Sequence, residues 1–161
     1  MTDSRLFNGA VETGLRALVL LVEASPDALD LQRLVSFDYL LIHSGDVSGG
    51  PPSLHPPSPL RAGEVTVRRG LLEQGLQLYR GRGLVKQVLS PAGIRYVAEE
   101  SAATFLDALR SSYATALRIR SQWLFEALGS LTEDALSGVL TDSLGRWRAE
   151  FATLSLDGES E

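Results

Sequence analysis

The sequence lacks the residues and motifs on which several classes of protein depend. It contains no cysteine, which excludes a disulfide framework and a thiolate metal site. It also has no phosphate-binding glycine loop ending in Gly-Lys-Ser/Thr, no nucleophile elbow and no His-Glu-x-x-His helix. We therefore expect a protein that is not an enzyme, with no catalytic residues, no metal and no cofactor.

Long apolar runs are missing as well. The longest covers residues 17–22, far short of the roughly 20 residues that a membrane-spanning helix needs. No basic segment of the kind found in signal peptides precedes it. The chain of 161 residues is 44% hydrophobic and 22% charged, as in ordinary soluble domains. We expect a cytoplasmic protein that makes no contact with a membrane.

Charge is unevenly distributed along the chain. The net charge is −5, which argues against a protein that binds polyanions over its whole surface. Residues 61–95 nevertheless carry a local charge of +5, between flanks of −4 (residues 1–60) and −6 (residues 96–161). The middle of the chain is therefore the part suited to an acidic partner.

Hydrophobic periodicity predicts two helices before a long loop. The first begins near Asn8 and buries a face made of Val11, Leu15, Leu18 and Val22. The second is capped by Asp30. Residues 44–63 are rich in Gly, Pro and Ser and predict a loop that is long for a compact domain, which indicates either function or disorder.

After the loop, the pattern predicts a helix and a hairpin. The helix runs from Glu64 to Tyr79, and the strands cover residues 84–89 and 94–97 around a Ser-Pro-Ala-Gly turn. This order predicts a mainly α protein: a winged helix-turn-helix of three helices plus a β-hairpin wing over residues 7–98. Residues 99–156 are predicted as a C-terminal helical extension packed on it, and residues 157–161 as a disordered acidic tail.

Polar residues cluster on the third helix and the hairpin. A positively charged surface on this helix and hairpin suits contacts with the phosphates of DNA or with an acidic protein partner. A merely solvated face is the alternative, since Arg69 and Glu73 have the spacing of an i,i+4 ion pair. The candidate partner- or DNA-binding residues are Arg61, Arg68, Arg69, Gln77, Arg80, Arg82, Lys86 and Arg95.

Both histidines of the chain flank the long loop. His43, Asp46 and His55, with Asp38 nearby, offer imidazole and carboxylate ligands for a metal. The interpretation we prefer is that these side chains hydrogen-bond the loop and hold it against the second helix. Asp38 lies in an otherwise apolar stripe, so it requires a partner, and we expect either the loop or Arg61.

Several segments together resemble a known family. These are Phe37-Asp38-Tyr39, His43-Ser44-Gly45-Asp46, the run from Pro51 to Pro56, and Arg61 with Gly63-Glu64. Over residues 7–128 the chain resembles the middle component (type 2) of bacterial ABC-three-component systems. The resemblance marks Asp38, His43, Asp46, His55 and Glu64 as family-motif residues.

The resemblance implies a function within a larger assembly. Systems of this kind combine an SMC/Rad50-like ATPase, an effector that is often a nuclease, and a small middle subunit. Lamassu-type anti-phage systems look like members of this group of systems. The chain is then expected to be an adaptor that joins the ATPase to the effector nuclease subunit, and that contacts double-stranded DNA through the complex. The alternative is a free-standing winged-helix transcription regulator, which would bind spaced half-sites as a symmetric dimer.

Overall fold

The computed structural model describes residues 9–55 and 61–143, with the backbone alone for residues 61–66. The protein is mainly helical and carries a small three-stranded antiparallel sheet. Its elements, in order, are α1 (Ala10–Ala24), β1 (Leu29–Asp30), α2 (Leu31–Ile42), a 3-10 turn (Ser44–Asp46), α3 (Arg61–Gly81), β2 (Val85–Ser90), β3 (Gly93–Ala98), α4 (Glu100–Ala108), α5 (Ser112–Leu128) and α6, which begins at residue 133 and is described to residue 143.

Side-chain caps set the start of two helices. The Asp30 carboxylate accepts a hydrogen bond from the backbone N–H of Arg33 (2.8 Å), so the cap predicted for α2 is confirmed. The Ser111 hydroxyl caps α5 by accepting from Ala114 N–H (3.1 Å), and this cap separates α5 from α4. Asn8, predicted near the first N-terminus, lies outside the described residues, and Gly9 is the N-cap of α1.

The predicted hairpin is confirmed, and the sheet contains one strand more. Strands β2 and β3 pair from Val85 opposite Ala98 to Ser90 opposite Gly93. Strand β1 then pairs with β3, with Asp30 opposite Arg95, so the sheet order is β1-β3-β2. A two-residue strand has too little periodicity to be recognised in the sequence. Through β1, the hairpin is joined to the start of α2.

The core is formed where α1, α2, α3 and α5 meet. Helix α1 packs most extensively against α3, and it is buried over most of its circumference. The face predicted for α1 is therefore partly wrong: Leu18 is fully buried, but Val11 is 66% exposed. The largest fully buried apolar side chains are Phe37, Leu18, Leu20, Leu21, Leu34, Leu40, Leu41, Ile42, Leu72, Leu76 and Leu117.

The described part of the Pro/Gly-rich loop is folded back against α2. The backbone N–H groups of Leu54 and His55 both donate to the Ile42 carbonyl, at 2.9 and 3.2 Å. From the other side, Arg120 of α5 donates to the Pro52 carbonyl (2.8 Å). The loop is shorter than predicted, since α3 begins at Arg61 and not at Glu64. Residues 44–55 thus lie between α2 and α5.

Arg33 joins α2 to the junction between α5 and α6. Its guanidinium donates to the Leu131 carbonyl (2.7 Å) and to the Glu133 carboxylate (2.8 Å), and it lies 5.0 Å from the centre of the Phe37 ring. It therefore covers carbonyl groups just beyond the end of α5, where a cation is favourable. The predictions for residues 144–161 lie outside the described residues. In the parts of the chain that are described, no helix is long and apolar enough to cross a bilayer.

Helices α1 and α3 approach each other closely at two glycines. A Cβ atom at Gly75 would lie 2.7 Å from the Ala10 carbonyl oxygen and equally close to Gly14 backbone atoms. Real side chains do not reach such distances, so the two helices would have to separate. A Cβ at Gly70, in the same helix, would meet nothing within 4 Å. The close approach therefore depends on the residue at position 75.

We predict that Gly75→Ala and Gly70→Ala have opposite effects on stability. Gly75→Ala should lower the free energy of unfolding by about 3 kcal/mol, because backbone must move in a packed core. Gly70→Ala should raise it by about 0.5–1 kcal/mol, because alanine restricts the unfolded chain and suits a helix. Urea denaturation of the two variants measures both effects, and equal midpoints would contradict the close approach.

Candidate functional site

The carboxylate of Asp38 lies at the centre of a buried ion cluster. It accepts hydrogen bonds from Arg16 Nε (2.6 Å, to Oδ1) and from Arg68 Nη1 (2.8 Å, to Oδ2). Asp38 is fully buried and Arg16 is 2% exposed. Each of the three residues comes from a different helix, α2, α1 and α3. Asp38 therefore holds these helices together at one point through Arg16 and Arg68. The side chain of Arg61, one of the partners expected from the sequence, lies outside the described residues.

The electrostatics of the cluster favour the charged forms of its members. Burial by itself would raise the pKa of Asp38, but the positive charges of Arg16 and Arg68 outweigh it and lower that pKa below the ordinary value. Burial also opposes the charge of Arg16, yet the neighbouring Asp38 carboxylate raises the pKa of that guanidinium. Asp38 is thus an ionised structural anion with two cations around one carboxylate.

His55 and Tyr113 extend the cluster towards the loop and α5. A hydrogen bond of 2.7 Å joins His55 Nε2 to the Tyr113 hydroxyl, and Glu12 and Arg16 lie close enough to Tyr113 to influence its pKa. Burial, helped by the positive charges of the cluster, lowers the pKa of His55 to about 4. Burial likewise raises the pKa of Tyr113 to about 12. At neutral pH His55 is therefore an uncharged link between the loop and α5.

Burial also raises the pKa of Glu12, against the opposing effect of Arg16. One of its carboxylate oxygens, Oε1, is buried and has no hydrogen-bond partner among the described residues. Glu12 lies in the first turn of α1, where a negative charge is favourable. It completes the polar layer between α1 and α5.

The remaining motif residues lie at the other end of the loop. The ring of buried His43 packs on Tyr39, with 4.7 Å between ring centres, and Arg68 lies 5.8 Å from the centre of the same Tyr39 ring. Asp46 accepts from Ser143 Oγ of α6 at 3.4 Å and lies 3.5 Å from the Tyr39 hydroxyl. The contacts of His43 and Asp46 thus fix the loop between α2 and α6.

The structure divides the predicted loop residues between two places: His55 contacts Tyr113, whereas His43 and Asp46 contact Tyr39. Among residues 9–55 and 67–143, no three His, Asp or Glu side chains gather in a way that could hold a metal ion. The side chain of Glu64, and that of Arg61, lie outside the description. Asp38 instead pairs with Arg16 and Arg68, His43 packs on Tyr39, and His55 bonds Tyr113.

The predicted basic residues divide into two groups. Arg68 is turned inward to Asp38 and is 9% exposed, so it does not belong to the surface on which the sequence placed it. The others are exposed on α3, on the α3–β2 connection and on the hairpin: Arg69, Gln77, Arg80, Arg82, Lys86 and Arg95. We call these six residues the basic face.

Contacts within the basic face are few. Arg69 lies 3.9 Å from Glu73, the i,i+4 pair expected from the sequence, and both side chains are about half exposed. Arg80 donates to Gln77 Oε1 (2.8 Å). An open groove of about 460 Å³ lies between the last turns of α3 and β2, with Gln77, Arg80, Lys86 and Glu99 among its lining residues. The side chains of the basic face are thus exposed to solvent in the described chain.

Three residues of the buried cluster were missed in the sequence: Glu12, Arg16 and Tyr113. Arg16 could have been found, because it is a lone cation within an apolar run of α1, and a buried Asp38 needs such a partner. Tyr113 gives no comparable signal, since its contact with His55 spans 58 positions of the chain.

We predict that Asp38→Asn is far more destabilising than Asp107→Asn. Removing the Asp38 charge leaves two guanidinium groups without their buried counter-ion, and we expect a loss of about 3–5 kcal/mol in the free energy of unfolding. Asp107 pairs with Arg118 at a similar distance (2.6 Å) but on the surface, where such pairs contribute about 1 kcal/mol or less. Chemical denaturation compares the variants, and similar losses would contradict a structural role for the Asp38 cluster.

The low pKa of His55 predicts that stability falls with pH in a defined window. The unfolded chain takes up a proton near pH 6.5 and the folded chain only near pH 4, so stability is lost as pH decreases between these values. Because the imidazole is only partly buried, water screens the effect, and we expect a loss of about 1–2 kcal/mol. His55→Gln should flatten the profile of urea midpoints measured from pH 7 to pH 4. A variant profile as steep as that of the wild type would assign the acid sensitivity to other groups.

Comparison with known proteins identifies the family to which the chain belongs. No curated protein and no solved structure matches the chain. The model of one family does match, that of the ABC-three component (ABC-3C) system Middle Component 2, and it covers residues 6–150. The match includes the buried ion cluster, the loop and the basic face. The chain therefore belongs to the Middle Component 2 family of ABC-3C systems and acts with other subunits of such a system.

Proposed function

We propose that this protein is a non-catalytic, cytoplasmic adaptor of a Lamassu-like bacterial defence complex, in which it bridges an SMC/Rad50-like ATPase and a nuclease-type effector. The observation that carries the proposal is the family match over residues 6–150, since a middle component works alongside other subunits. The adaptor offers surfaces to its partners and leaves the reaction chemistry to them.

The state of the polar residues supports a non-catalytic role. A catalytic acid or base has to reach its substrate and has a pKa near the working pH. Asp38 is fully buried and ionised between two arginines, and the pKa of His55 is about 4, with its ring bonded to Tyr113. Asp38 and His55 both stabilise the fold through these contacts.

The element order supports a winged helix-turn-helix as the scaffold. Helix α1, strand β1, helices α2 and α3 and the β2–β3 hairpin follow one another as in such domains, with the sheet order β1-β3-β2. In this arrangement the hairpin is the wing, and helices α4–α6 form an added layer. Winged domains bind proteins as well as DNA, so the scaffold suits an adaptor.

Bridging is tested by co-purification of the three components of the system. We expect a tagged ATPase to retain the effector only when this chain is co-expressed. If the ATPase and the effector associate equally well without it, the chain is not the bridge. If instead the purified chain is a symmetric dimer that binds spaced half-sites with nanomolar affinity, it is a transcription regulator.

A further inference from the structure

The β2–β3 hairpin has two chemically different faces. Side chains alternate between the faces of a strand, and directly opposed residues share a face. Lys86 and Arg95 therefore lie on one face, since Arg95 is opposite Val88, two residues from Lys86. The other face contains Val85 and Tyr96, which are buried near the base of the hairpin.

Towards the turn, the large apolar side chains on this same face are exposed to solvent. Leu89 and Ile94 are directly opposite each other beside the turn, and they are 79% and 46% exposed. Neither side chain packs against the hydrophobic core of the described residues. The hairpin therefore presents an apolar tip next to a cationic face.

Cations line the hairpin and the connection that leads into it from α3. Arg33 and Arg118 each pair with a carboxylate. Arg82, Lys86 and Arg95 form no ion pair with any residue in the described ranges. Two carboxylates lie nearby, because Glu99 lines the same groove as Lys86 and Asp30 is opposite Arg95. Arg80 bonds the neutral side chain of Gln77. Lys86 also lines the groove that runs beside β2 to the last turns of α3. The positive charge is thus concentrated on the hairpin and at the end of α3.

We propose that this surface binds the phosphate backbone of duplex DNA, with the hairpin leading. Arg82, Lys86 and Arg95 contact phosphates, while Leu89 and Ile94 enter a groove and pack against sugars and base edges. The middle of α3 takes little part, because Glu73 neutralises Arg69 there. The proposal rests on the proposed function in one respect: in the complex, this surface is where the adaptor meets the DNA.

Duplex DNA fits these observations better than an acidic protein does. A two-stranded ribbon is narrow enough to enter the major groove of DNA. DNA offers phosphates along a groove and apolar contacts within it, which matches a hairpin with cations along one face and an apolar pair at its tip. The overall charge of −5 opposes tight binding, so we expect micromolar, salt-dependent affinity without sequence selectivity.

The test is fluorescence anisotropy of the purified chain with a labelled duplex of about 24 base pairs, from 50 to 200 mM salt. Lys86→Gln with Arg95→Gln should weaken binding at least tenfold at 50 mM salt and reduce the salt slope by about 2. Arg110→Gln with Arg118→Gln removes the same amount of charge elsewhere and should change affinity less than twofold. Leu89→Ser with Ile94→Ser should weaken binding and leave the slope unchanged.

Three results would overturn the proposal. The first is no salt-dependent binding of the duplex by the wild-type chain, and the second is equal loss in the two charge-matched variants. The third is that labelled polyglutamate binds as tightly as the duplex and responds to the same substitutions, which would assign the surface to an acidic protein. Co-purification of the ATPase and the effector through the Lys86→Gln, Arg95→Gln variant shows separately whether the adaptor function stands.

Discussion

The structure depends on the pairing of one carboxylate with two guanidinium groups. Asp38 holds Arg16 of α1 and Arg68 of α3 at distances of 2.6 and 2.8 Å, in a region from which water is almost excluded. A single buried charge without a partner would strongly destabilise the fold. In this cluster the opposite charges of the carboxylate and the two guanidinium groups offset the cost of their burial. It fixes how α1, α2 and α3 lie relative to one another, and with them the position of the basic face.

The cluster also explains why the loop of residues 44–55 has a defined path. Backbone bonds from Leu54 and His55 to Ile42 attach it to α2, and His55 joins it to Tyr113 beside the buried ions. Of the family-motif residues, Asp38 and His43 therefore belong to the polar interior of this fold, and Asp46 and His55 are half-buried. The basic face is made of other residues, which are exposed.

The local elements were predictable from the sequence, and the long-range contacts were not. The Asp30 cap and the hairpin follow from short patterns, and the hairpin boundaries agree with the prediction within about one residue. The buried face of α1 was predicted with Val11 inside, because periodicity cannot show that a helix is enclosed on several sides. Arg68 was placed on the surface because its neighbour Arg69 is there. Only the fold reveals that Arg68 pairs with Asp38 whereas Arg69 is exposed to solvent.

Asp30 gives the hairpin a mechanical connection to the rest of the molecule. Its backbone pairs with Arg95 of β3, and its side chain caps α2, so one residue belongs to both elements. A load that tilts the hairpin is thereby transmitted to the first turn of α2. That turn contains Arg33, whose guanidinium holds Leu131 and Glu133 at the beginning of α6. Strain applied at the tip of the hairpin would thus reach the start of α6 through these contacts.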